Sequence, residues 1–277
     1  MKYLSILARG VALAIFAAMA FLPVYWMTLS AFRSNAVVMQ WPPVFLPGID
    51  TLSLETIRAL LDEAPILSWL STSLLVTFGV TALTVMIATL AGYALSRSRS
   101  PLTGIAGHAI LIAKMLPGTL LIVPLYVMFF RAGLLNGPQA VLAVVLANCS
   151  FATPFATWMM KAYFDGIPKE IEEAALIDGC SPLGAMLKTV LPAAAPALAA
   201  VTIYVFIVAW NDFLFARTFL PGGETMTIAA ASTQFLGEVE MQWNKVMAVA
   251  LIAAAPVLIM FLILERHFVA GLTGGHH

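Results

Sequence analysis

A chain of 277 residues that is 61% hydrophobic and 10% charged, with a mean hydropathy of +0.96, excludes an ordinary soluble domain and points to a polytopic membrane protein. A formal net charge of zero argues against nucleic acid as a partner. The two cysteines, Cys149 and Cys180, have neither metal-site spacing nor an obvious pairing geometry, so they read as unpaired thiols and no metal site is expected.

Six segments supply the roughly 20 apolar residues that a spanning helix needs: 8–31, 69–96, 105–130, 139–161, 192–217 and 245–267. The expected fold is an all-α membrane protein with six transmembrane helices. The first segment follows Lys2 and Arg9 and contains Ala18-Met19-Ala20, as a signal peptide would, but its apolar run continues through Leu22 to Met27 without a polar break. It reads as a retained anchor. With the amino terminus inside, Lys2, Arg9, Arg97, Arg99, Lys161, Lys169, Lys188 and Arg266 are cytoplasmic, against Arg33, Arg58, Arg131 and Lys245 outside. That excess of inner cations favours both termini in the cytoplasm. Residues 32–66 form the largest external segment, with Trp41-Pro42-Pro43 as a turn and Leu54, Ile57, Leu60 and Leu61 patterned as a surface helix.

Between the fourth and fifth spans lies the loop 162–192, the one long stretch that is both charged and helix-patterned. Pro168 suits a first helical position, and Glu170, Glu172 and Glu173 put negative charge on the positive helix end. Ile167, Ile171, Ala174 and Ala175 recur as its apolar face. Gly179 offers a left-handed stop, and Ser181-Pro182 reads as the cap and first residue of a second short helix. A helix, a sharp turn and another helix are expected.

Glu173-Ala174-Ala175, then Gly179, then Thr189-Val190-Leu191-Pro192 resembles the cytoplasmic loop of permease subunits of binding-protein-dependent, ATP-driven importers, although that family usually has Ile where Thr189 stands. The Glu-Glu-Ala-Ala-x-Ile-Asp-Gly form is similar to the carbohydrate branch, specifically the smaller permease of the maltose-transporter type. Trp210-Asn211-Asp212-Phe213-Leu214 and the terminal run Phe268 to Thr273 extend the resemblance over nearly the whole chain. It implies a single permease domain, 1–277, in a bacterial cytoplasmic (inner) membrane. The implied partners are a second permease, two ATP-binding subunits, an extracytoplasmic solute-binding protein, an oligosaccharide and membrane lipid. Gly274-Gly275-His276-His277 reads as a tag remnant, and its histidines enter no metal reading.

No phosphate loop, His/Cys cluster or nucleophile turn occurs, so no catalytic residue is assigned and the chain is expected not to hydrolyse ATP. No cofactor is expected on this chain; ATP and Mg belong, by the resemblance, to partner subunits. Energy would enter through the central loop, where Glu173, Ala174, Ala175, Asp178, Gly179 and Pro192 are the candidate coupling residues. Arg97 and Arg99 are expected to anchor the cytoplasmic end of the second span.

Lys114 lies near the middle of the third span, where a lysine costs insertion about 2.5–3.5 kcal/mol. The family more often carries an uncharged polar residue there and a hydrophobic one at Arg217. Two extra cations imply an anionic cargo, such as a uronate oligosaccharide of the alginate kind or a phosphorylated polyol. The competing reading pairs Lys114 with a carboxylate, Asp212 or one on the partner permease, lets Arg217 snorkel outward, and allows a neutral oligosaccharide. Asn148, Asn211 and Asp212 complete the candidate substrate pathway. The rival of a different class is an ion-gradient-driven secondary transporter, for which Asp212 is the one acid clearly inside a span.

Overall fold

The computed structural model describes the backbone of all residues except 1, 47, 49, 50, 99, 238–240 and 274–277, and also leaves undescribed the side chains of 2–5, 8, 113 and 264–273. The tag reading of 274–277, the anchoring reading of Arg99 and the side chains of the terminal Phe268 to Thr273 run therefore lie outside the described residues. In chain order the helices are α1 (Lys2–Ala31), α2 (Asn35–Val38), α3 (Glu55–Glu63), α4 (Ile66–Arg97), α5 (Pro101–Lys114), α6 (Gly118–Arg131) and α7 (Ala140–Asp165). They continue with α8 (Lys169–Ile177), α9 (Pro182–Ala185), α10 (Leu191–Ala193), α11 (Ala195–Trp210), α12 (Leu214–Phe219), α13 (Ile228–Ala231) and α14 (Trp243–Thr273). Among the described residues there is no strand, only two isolated bridges.

The chain divides into two compact units. The first comprises Met1–Leu67 and Ala231–Ala255. Its α1 is apolar all round and 0% buried over its spanning window, the pattern of a helix solvated by lipid or covered by another subunit. The segment after α1 is held by Arg33, which is buried and donates to the carbonyls of Val44 at 2.6 Å and Leu46 at 3.2 Å. The Arg33 carbonyl in turn accepts from Thr56 Oγ1 at 2.9 Å and from Asn244 Nδ2 at 3.3 Å. The surface helix expected over 54–61 is α3, with Leu60 buried and Leu61 exposed, so one side of it is packed down.

The second unit comprises Ser68–Ala230 and Pro256–His277 and is built around α7. Over half of its spanning window, 56%, is buried, and it packs against α5, α11 and α12. Small residues on its inward faces, Ala140, Ala143, Ala147, Ala152 and Ala156, let neighbouring helices approach closely. A close approach is to α4 at Gly92, where a Cβ would stand 2.8 Å from Met160 Cβ, 2.9 Å from the Lys161 amide nitrogen and 3.0 Å from the Thr157 carbonyl.

Among the described residues, four helices are long and apolar enough to cross a membrane: Arg9–Ala31 within α1, α4, Gly137–Asp165 covering α7, and Trp243–Ile263 within α14. A fifth arises if the pair Pro182–Ala193 and Ala195–Trp210, bent by 78°, counts as one span. The third expected segment, 105–130, is split into α5 and α6, 14 residues each, on either side of Met115-Leu116-Pro117. Pro117 causes the split, because it has no N–H for the ladder and drives the preceding residue away from helical backbone. Each half is about 21 Å long, short of the roughly 30 Å apolar core. The fifth segment also differs from the expected 192–217: α11 stops at Trp210, and Asn211 to Phe213 separate it from α12.

Candidate functional site

The loop after α7 folds as its turn chemistry dictates. Pro168 is the cap immediately before α8 rather than its first residue, and Glu170 and Glu172 occupy the first turn. Gly179 stands at φ +88°. The Cys180 amide reaches back to the Ala175 carbonyl at 3.0 Å and the Gly179 amide to the Leu176 carbonyl at 3.1 Å, the paired bonds of a Schellman stop. Ser181 caps α9 by accepting from the Gly184 amide at 3.1 Å, with Pro182 at the first position. Met186–Val190 is then a single π-helical stretch, and Pro192 in α10 follows just before the 78° bend into α11.

Burial sorts the candidate coupling residues. Glu173, Ala174, Asp178, Gly179 and Pro192 are exposed. Ala175 is only 6% exposed and packs α8 against its own chain, so it supports the loop rather than facing outward. Ile177, 86% exposed, and Leu183, 60% exposed, are apolar side chains at the tip that the sequence reading passed over. The apolar face expected from Ile167, Ile171, Ala174 and Ala175 holds only for Ile167 and Ala175; Ile171 and Ala174 are exposed.

The inward face of α8 carries Glu172 instead. Arg97 Nε donates to Glu172 Oε2 at 2.8 Å, and the Tyr93 hydroxyl donates to Glu172 Oε1. The same guanidinium donates to the Phe164 carbonyl at 2.9 Å and to Ser96 Oγ at 3.1 Å, while Tyr93 packs edge-on to Phe164 with ring centroids 5.7 Å apart. Arg97 thus anchors the end of α4, as expected, and does so through the loop. The available signal was spacing: Glu172 lies one turn before buried Ala175 on the same helix face.

In the spans, the structure brings together Asn148 and Asp212 but not Lys114 and Asp212. Buried Asn148 on α7 donates through Nδ2 to Asp212 Oδ2 at 3.0 Å and to the Val144 carbonyl at 3.1 Å. Asp212 also receives the amides of Phe215 at 3.3 Å and Ala216 at 3.1 Å, capping α12 at its break from α11. Its acceptors are spent on structure. Lys114 donates instead to the Phe151 carbonyl at 3.0 Å, in the turn that Pro154 interrupts. The Lys114–Asp212 pair of the competing reading is therefore not formed, and the carboxylate is held by the cap and Asn148 instead. Arg217 is exposed on α12, and among the described residues neither it nor Lys114 has a carboxylate within ion-pair distance. Asn211 is exposed and bonds back to the Ile207 carbonyl at 2.8 Å. Cys149 and Cys180 are free thiols, as expected.

A cavity of about 890 Å³ in the second unit is lined mainly by aliphatic and aromatic side chains, among them Leu74, Phe78, Val85, Leu198 and Phe206. Sugar hydroxyls buried there would lose their hydrogen bonds to water, so the cavity does not suit a saccharide.

Residues 84–273 match the model of the binding-protein-dependent transport system inner membrane component family. The maltodextrin transport system permease protein MdxG of Bacillus subtilis is 34% identical over 248 residues, covering 89% of this chain and 86% of that protein. The inner membrane ABC transporter permease protein YcjP of Escherichia coli is 31% identical over 265 residues, covering 95% and 93%. In fold, the chain is similar to a chain of a bacterial ABC transporter involved in the import of the acidic polysaccharide alginate, with a TM-score of 0.79, 21% identity, and coverage of 96% and 97%. The chain belongs to the family of inner-membrane components of binding-protein-dependent transport systems. It is a multi-pass inner-membrane permease of the ABC type, the transmembrane component rather than the ATP-hydrolysing enzyme. That membership displaces the gradient-driven rival.

Proposed function

We propose that this chain is one of two permeases lining the path by which an oligosaccharide bearing acidic groups enters the cell through alternating access. Support for a sugar cargo comes from relatives such as the maltodextrin permease. The observation that carries the acidic cargo is that Lys114 and Arg217, cations in or beside the spans, have no carboxylate partner among the described residues. A charge kept in such a place without a counterion is costly unless something else supplies one, and an anionic cargo would do so.

The rest of the assembly follows from the family reading. A solute-binding protein delivers cargo from outside, and two partner subunits bind ATP and Mg. The whole chain, 1–277, acts as a single transporter domain. Counting α5 with α6 as one span, and the bent stretch ending in α11 as another, gives six spans. Both termini are then cytoplasmic, in line with the distribution of lysine and arginine. The loop 162–192 is the coupling element, meeting an ATPase through Glu173, Ala174, Asp178 and Gly179, while Ala175 and Pro192 hold its shape.

The test uses the assembled transporter in lipid, with binding protein loaded either with a uronate oligosaccharide or with a maltodextrin of equal length. The unmodified complex is expected to hydrolyse ATP faster with the uronate. Lys114→Gln combined with Arg217→Leu should lower that stimulation about tenfold and leave any response to maltodextrin unchanged. Unchanged selectivity in the double variant would sink the acidic-cargo reading and assign the Lys114 counterion to the partner permease.

A further inference from the structure

We infer that Glu172 is a positioning residue that ties the coupling helix to the second span, so that α4 moves together with α8 when ATP binds. This inference rests on the coupling-loop reading and extends it to a route of transmission. The helix α8 is covalently continuous with α7 through Gly166 to Pro168, and with the segment leading to α11 through the Gly179 turn. Motion of α8 therefore reaches α7 and α11 along the backbone. Arg97, the last residue of α4, is 75 positions away from Glu172 and has no such link.

Among the described residues, two kinds of noncovalent contact join α4 to this region, close packing and polar bonds. Packing at Gly92 against Thr157, Met160 and Lys161 is already at contact distance. It resists compression and holds the helices by dispersion, but it has no directional bond and does not reach α8. The polar cluster provides the directional tie: the carboxylate of Glu172 accepts from both Tyr93 and Arg97, and the guanidinium also holds the Phe164 carbonyl at the end of α7. The ion-pair side chains are only 13% and 15% exposed, so water screens them weakly. One carboxylate and one guanidinium thus join α4, the end of α7 and α8. Glu173, the neighbouring acid in the resemblance motif, is exposed and stays available to a partner.

The inference is tested in the complete transporter, with Cys149 and Cys180 replaced and spin labels attached at Ala94→Cys on α4 and Glu170→Cys on α8, both exposed positions. In the parent, the distance between the labels should stay the same when ATP and vanadate are added. In Glu172→Gln, and separately in Arg97→Gln, the nucleotide should move it by more than the about 1–2 Å of an ordinary helix shift. A merely structural role would alter the resting distance or prevent assembly, without creating a nucleotide-dependent change. If either variant does not assemble, Tyr93→Phe, which removes one hydroxyl and no carbon, carries the test and should produce a smaller nucleotide-dependent shift. A nucleotide-independent distance in every assembled variant would overturn the tie. Failure of the underlying reading shows elsewhere: Gly179→Val would leave cargo-stimulated ATP hydrolysis unchanged, whatever the labels report.

Discussion

Replacing Gly92 with leucine is expected to prevent α4 and α7 from packing, and to remove most of the folded permease from the membrane. The position has no room even for a methyl group. A Cβ there would stand 2.9 Å from the Lys161 amide nitrogen and 3.0 Å from the Thr157 carbonyl, and backbone atoms of a buried helix cannot swing aside as a side-chain end can. Gly92→Ala should already cost about 1–3 kcal/mol, the usual range for overpacking, and leucine more. Gly104→Ala on α5 is the control, since a Cβ there meets nothing within 4 Å and alanine is the better helix former. The measurement is the thermal unfolding midpoint of the detergent-solubilised protein. A midpoint for Gly92→Ala equal to that of Gly104→Ala would refute the close-approach account.

The second large effect is expected at Gly179, for a different reason. Its surroundings are open, but its φ of +88° lies in the left-handed region. An L side chain there costs roughly 1–2 kcal/mol, and a β-branched one is worse placed. Gly179→Val should loosen the Schellman stop, tilt α8 relative to Ser181 and α9, and abolish the cargo-stimulated part of ATP hydrolysis while the chain remains in the membrane. Gly179→Asn should retain most of it, since asparagine tolerates this backbone. The check is the ordering of stimulated hydrolysis, Gly above Asn above Val, in reconstituted complex. Equal rates in all three would remove the loop from the coupling path.

The two glycines differ in how far the sequence exposes their roles. Gly179 follows a helix pattern and precedes a Ser-Pro cap, so its turn is written in six consecutive residues. Gly92 sits in an apolar run where nothing local distinguishes it from Gly79 or Gly107, and only the arrival of α7 makes it indispensable. The same division separates the acids of the loop. Glu172 and Glu173 look alike as first-turn charges, yet one is tied to Arg97 and Tyr93 while the other faces outward. Lys114 shows it again: its cost in a span could be read from composition, whereas its bond to the Phe151 carbonyl depends on how α5 lies against α7.

By itself the sequence determined that the chain is a helical membrane permease with a helix-turn-helix loop, because hydropathy, capping and turn preferences act over a few neighbouring residues. The tertiary structure alone decided which of two adjacent glutamates points inward, and that Asp212 pairs with Asn148 on another helix rather than with Lys114. These outcomes depend on partners tens of residues away. The free energy of a buried charge is set by the neighbours that folding brings to it, and no local pattern encodes those neighbours.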